Sequence, residues 1–141
     1  MTTPTLVDVR DLIGLPWVAG GRLVDGALPL GGIDCWGIVC EVRRRAGLWS
    51  PDPWGCGPAP VDIHPEGLPA FFTQHLVELE REAPYCCVQL RSSWPGGHAG
   101  VLMPSGQVIE TNRHAGVVAL PLSRLRRRVV KFLEFVQEPA A

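Results

Sequence analysis

The 141-residue sequence predicts an α+β domain, with N-terminal helices packed on a C-terminal antiparallel sheet of about five strands. Three observations predict it. Apolar residues recur at helical spacing in the first part of the chain, whereas short alternating or apolar runs dominate the last part. The 14 prolines and 16 glycines punctuate the chain often, so its elements are short. Length is that of a single domain, taken as 1–141 with a core over about 10–136 and a loose tail at 137–141, and 46% hydrophobic residues suffice for a core.

The segment TPTLVDVRDLIG reads as a short helix ended by Gly14, and residues 15–32 read as a loop broken by Pro16, two glycine pairs and Asp25-Gly26. The best-marked element follows. Asp34 suits an N-cap, because its carboxylate can accept from the unpaired N–H groups of a first turn. Cys35, Ile38, Val39, Val42 and Ala46 then form one apolar helical face. Arg43, Arg44 and Arg45 suit the negative end of that helix, and Gly47 suits its C-terminal cap. Residues 49–67 hold five prolines and read as a long surface loop. LPAFFTQHLVELEREA, residues 68–83, reads as a second helix. The runs YCCVQLRS, HAGVLM, QVIET, GVVALPL and VVKFLEFV read as strands separated by turns.

The net charge of −1 makes no bulk electrostatic case for nucleic acid. The arginine triplets at 43–45 and 126–128 read as solvated patches or helix ends. No apolar run reaches the roughly 18 residues of a membrane span, so no membrane insertion is expected. The start lacks a signal-peptide pattern, and five cysteines is an odd count. Reduced thiols in a chain made in the cytoplasm without a signal peptide fit these features.

Cys35 is a packed apolar side chain, a metal ligand or a nucleophile. Its position favours chemistry, because a helix N-terminus presents N–H groups and partial positive charge that stabilise a thiolate or an oxyanion. Cys40 lies mid-helix, Cys56 in the Pro-rich loop, and Cys86 and Cys87 on a strand. Cys35 and Cys40 stand at Cys-x4-Cys spacing but fall on opposed helix faces, and the adjacent Cys86 and Cys87 would point both ways from a strand, so a structural zinc is not expected. A nucleophilic thiol needs a base. His64, His75 and His114 read as solvated or structural, whereas His98 opens a strand directly after Gly96-Gly97. HAGVLM-PSG-QVIETN reads as a hairpin. Pairing Met103 with Gln107 sets Gly100 opposite Glu110 and His98 opposite Asn112, so either Glu110 or Asn112 could accept from the imidazole. A slip of one residue would remove both.

With IDCWGIVCEVRRRAGL and HAGVLMPSGQVIET in view, the chain resembles the NlpC-type cysteine peptidases and amidases, relatives of papain that cut peptidoglycan stem peptides. The resemblance rests on an Asp-Cys-x-Gly helix start, a His-x-Gly strand, a polar residue about a dozen positions later, and the upstream GLPWVAGGR. It spans roughly residues 10–135 and is most like the small members encoded in phage tail-assembly clusters. It implies a papain-like NlpC-type fold, with Cys35 as nucleophile, His98 as base and Glu110 as third residue, Asn112 staying open as the alternative. Asp34, Trp36 and Trp17 would line the substrate cleft. The sequence departs from the family at Glu110, commonly His; at Trp36, usually Ser in cell-wall enzymes; and at Trp17, often Tyr.

The resemblance implies a peptidoglycan peptide hydrolase that needs no metal or organic cofactor, carried in a virion tail or tail-like particle beside other tail proteins. A catalytically silent docking protein of a tail tip or hub is the alternative. Trp49, Trp54 and Trp94 would then be anchors for a partner.

Overall fold

A computed structural model describes residues 6–52, 75–91 and 98–136. Helix α1 (Cys35–Arg45) packs on one face of a six-stranded antiparallel sheet. The strands are β1 (Leu76–Leu79), β2 (Cys87–Leu90), β3 (His98–Leu102), β4 (Gln107–Asn112), β5 (Gly116–Pro121) and β6 (Val129–Phe135), in the spatial order β1-β6-β2-β3-β4-β5. A single helical turn, α2 (Leu122–Leu125), joins β5 to β6 on the other face.

The caps expected for α1 form. The Asp34 carboxylate accepts from Gly37 N at 2.8 Å. At the far end Gly47 adopts φ +75°, where a side chain would be strained. Its N–H donates to Arg44 O at 3.0 Å, and Leu48 N–H donates to Arg43 O at 2.9 Å, closing a Schellman motif. Ile38, Val39 and Val42 are buried as the periodicity requires. So are Trp36 and Arg43, which meet residues 49–51 and Phe135 of β6, and Glu41, which pairs with Arg44 and Arg45. A Cβ on Gly37 would meet Gly21 O at 2.7 Å, so only glycine admits that backbone approach.

Alternation splits the sheet between two cores. Cys87, Ala99, Val101, Ile109, Val117 and Leu133 pack with α1, whereas Cys86, Val88, Leu102 and Val108 pack with Leu122 and Leu125 of α2. The hairpin register is the expected one: Val101 pairs with Ile109, Leu102 with Val108, and Met103 N–H donates to Gln107 O at 2.7 Å.

Three expectations change. The sheet has six strands rather than about five, and the extra one, β1, lies inside the segment read as a second helix. LVEL can serve either period; pairing with β6 (Leu76 with Phe135, Glu78 with Leu133) gives its backbone partners and buries Leu76. Residues 68–74 of that expected helix lie outside the described residues, as do Trp54, Cys56, His64, Trp94 and the tail. The first expected helix is only a 3-10 turn, Arg10–Leu12, because the chain beyond it pairs with β5 instead: Gly14 N–H donates to Val117 O at 2.8 Å, and Val117 N–H to Leu15 O at 2.9 Å. Arg43 is not solvated. It is 3% exposed, bonds Ser50 Oγ, Tyr85 O and Trp49 O, pairs with Glu134, and stacks 4.1 Å above the Phe135 ring.

Candidate active site

Asp34 anchors the tip of α1 rather than lining a cleft. It is 5% exposed and fully bonded: Oδ1 accepts from Gly37 N and from Arg22 Nη1 at 2.6 Å, and Oδ2 accepts from Gly20 N at 3.0 Å. Arg22 also forks onto Asp52, at 2.8 and 3.1 Å. Burial works against the Arg22 charge, but Asp52 and Asp34 outweigh it and hold its pKa above the usual value. Trp36 is likewise core and no cleft wall. It is 1% exposed, its Nε1 donates to Pro51 O at 2.9 Å, and its ring lies 5.7 Å from that of Phe135. Trp17 is half-buried beside the chain entering α1, bridged to Ile33 and capped by the Arg113 guanidinium at 4.8 Å.

Cys35 is the first residue of α1, where the backbone N–H groups of Ala99 and Trp36 favour its thiolate. Burial nevertheless pushes its thiol up to about 12, with the Asp34 carboxylate adding to the rise; the two N–H groups and Arg22 oppose it. At neutral pH the group is therefore a thiol. The stabilising helix end is present, but desolvation outweighs it.

His98 begins β3, next to Ala99. Alternation carries its side chain to the same face as Gly100 and Leu102, away from α1. There its Nε2 lies 3.9 Å from Glu110 Oε1, beyond hydrogen-bond length and a charge pair only when the ring is protonated. Burial, reinforced by Arg128, pushes the imidazole down to about 4, so it is a neutral base at neutral pH. Glu110 is 3% exposed, and its Oε1 accepts from Arg128 Nη1 at 3.4 Å. Its Oε2 is buried with no hydrogen-bond partner among the described residues. Burial raises the Glu110 pKa, against which Arg128 acts. The room that Gly100 leaves is filled by Val108 and Glu110, which a Cβ there would meet at 2.8 and 3.5 Å.

The fold thus brings together His98 and Glu110, and sets Cys35 against the residue next to His98. No hydrogen bond between Cys35 and His98 is present among the described residues. Asn112 does not orient the ring. Its Oδ1 accepts from His114 N at 2.7 Å and Ala115 N at 3.0 Å, closing the turn after β4. Sequence reading missed Arg22 and Arg128. Arg22 carries no periodic signal, and Arg128 stands in a triplet indistinguishable from a solvated helix end. A cavity of about 480 Å³ opens along Gly37, Cys40, Glu41 and Arg44, a different face of α1 from that of Cys35.

Similar architecture occurs in solved structures. One is the P60 domain of an antigen from M. avium subspecies paratuberculosis, with 18% identity over 87% of this chain and 85% of that one, at TM-score 0.50. Another is a protein similar to a lipoprotein of the NLP/P60 family from Staphylococcus aureus subsp. aureus Mu50, with 15% identity over 98% of this chain, at TM-score 0.51. This chain spans 45% of the staphylococcal protein's length. The fold is therefore the papain-like NlpC/P60 architecture. No family model matches the sequence, and no curated protein matches it either.

Proposed function

We propose that the chain is a cysteine peptidase or amidase of the NlpC/P60 kind that hydrolyses peptide bonds of peptidoglycan, carried in a phage tail or tail-like particle with other tail proteins. The observation that carries the activity is the seating of the Cys35 sulfur, at the tip of α1, against the Ala99 backbone, with the His98–Glu110 pair on the adjoining residue. The tail setting rests on the DCWG form of the helix start alone.

Both groups begin neutral. The proposed reaction requires the His98 imidazole to come within proton-transfer reach of the sulfur while Glu110 stays beside it. The ring takes the thiol proton as sulfur attacks the amide carbonyl, and the oxyanion is held by N–H groups at the α1 tip. Glu110 offsets the imidazolium. The imidazolium then gives its proton to the leaving amine, and water, deprotonated by His98, hydrolyses the thioester and restores the thiol. Purified peptidoglycan is the test: wild type releases muropeptides and Cys35→Ala, a change between two small side chains, releases none. Equal release by both overturns the reading.

One observation favours a second reading, a catalytically silent docking protein. Burial pushes the Cys35 thiol up to about 12, and no bond ties it to His98 among the described residues. Trp49, 37% exposed, would be one anchor. Iodoacetamide separates the two: alkylation of Cys35 that depends on His98 near neutral pH supports catalysis, and alkylation that rises only in strong alkali supports docking.

A further inference from the structure

Arg128 belongs to no motif, yet it is the cation that reaches the candidate acceptor. Its backbone is held at both ends: its N–H donates to Leu125 O at 2.7 Å, and its carbonyl accepts from Arg91 N, also at 2.7 Å. These bonds fix it where β2 meets β6, beside a shift of register between Gln89 and Leu90. Leu90 is also the strand partner of His98, so the α2–β6 junction stands one strand away from the imidazole. From there Arg128 Nη1 reaches Glu110 Oε1 at 3.4 Å, the same oxygen that faces His98 Nε2 at 3.9 Å.

Among the described residues, the strand partners of His98 on β2 and of Glu110 on β5 carry no charge. Leu90 of β2 lies opposite His98, and Val118 of β5 lies opposite Glu110. Arg126 is engaged with Glu82 at 2.9 Å. Glu110 Oε2 is buried with no hydrogen-bond partner among the described residues, so a carboxylate here has little else to stabilise its charge.

We infer that Arg128 is a positioning residue of the candidate site, which holds Glu110 as an oriented anion behind His98. This rests on the proposed roles of His98 and Glu110. Without the guanidinium, a carboxyl group sealed from water takes up a proton and loses its ability to offset an imidazolium. The exposed part of Arg128, 43% of its side chain, leaves the clamp within reach of solvent.

Carboxyl-carbon NMR titration of Glu110 tests it on the full chain, with no need for turnover. Arg128→Gln is expected to raise the Glu110 midpoint by about one pH unit or more, and Arg128→Lys to restore most of the wild-type value. An unchanged midpoint in folded Arg128→Gln overturns the inference. Should that variant not fold, the wild-type Arg128 side-chain nitrogen signals serve instead: they should shift with the Glu110 midpoint, and signals that do not follow it overturn the inference. An inactive wild type with a normal Arg128–Glu110 response would sink the proposed function alone.

Discussion

Asp34 and Glu110 are both carboxylates nearly sealed from solvent, 5% and 3% exposed, yet they are satisfied very differently. Asp34 accepts three hydrogen bonds, one from a guanidinium at 2.6 Å. Glu110 accepts one long bond, and its second oxygen has no partner among the described residues. Asp34 holds the loop of residues 15–34 against the start of α1, with both oxygens engaged. In the proposed mechanism Glu110 faces an imidazolium, to which a saturated carboxylate could not respond. Under-satisfaction is therefore the mark of the group available for chemistry.

The sharpest way to break this contrast is to substitute both. Asp34→Ala leaves the buried Arg22 without one of its two carboxylates and should destabilise the fold by about 3–5 kcal/mol in urea denaturation. Glu110→Gln removes a strained charge, so it should change stability by less than about 1 kcal/mol while muropeptide release collapses. Comparable stability losses at the two positions would erase the distinction.

Acid sharpens it next. The folded His98 pKa is pushed from 6.5 to about 4, so between those values the unfolded chain binds a proton that the folded one refuses. Stability from this group is therefore constant above pH 6.5 and falls as the pH drops toward 4, by up to about 3 kcal/mol. Glu110 is raised and works with the opposite sign, losing stability as pH rises through its folded value. Wild type measured against His98→Gln isolates the histidine; parallel stability curves for the two would show that the ring is not buried as described.

The smallest effect concerns the rival acceptor. Asn112→Ala removes the bonds to His114 and Ala115 and should cost about 1 kcal/mol, with peptidoglycan cleavage intact. Loss of cleavage in that variant would return Asn112 to the site and weaken the case for Glu110.

Much of this site was legible because its parts are local. A cap is a matter of a few consecutive residues, so Asp34, Cys35 and Gly47 could be placed from spacing alone. The turn at Pro104-Ser105-Gly106 set the register of β3 on β4, which put Glu110 near His98. The same logic failed where two periods fit equally: LVEL became β1 only because β6 was there to pair with it.

The sequence by itself determined the start and end of α1, the hairpin register, and the residue types offered to the site. Tertiary structure alone decided that Trp36 is core, that Arg22 and Arg128 meet the two carboxylates, and that burial raises the Cys35 pKa while His98 turns toward Glu110. The reason is range. Caps and turns are set by neighbours along the chain, whereas burial and charge pairing depend on segments such as Arg22 with Asp52 or Arg128 with Glu110, which meet only when the sheet and helix close.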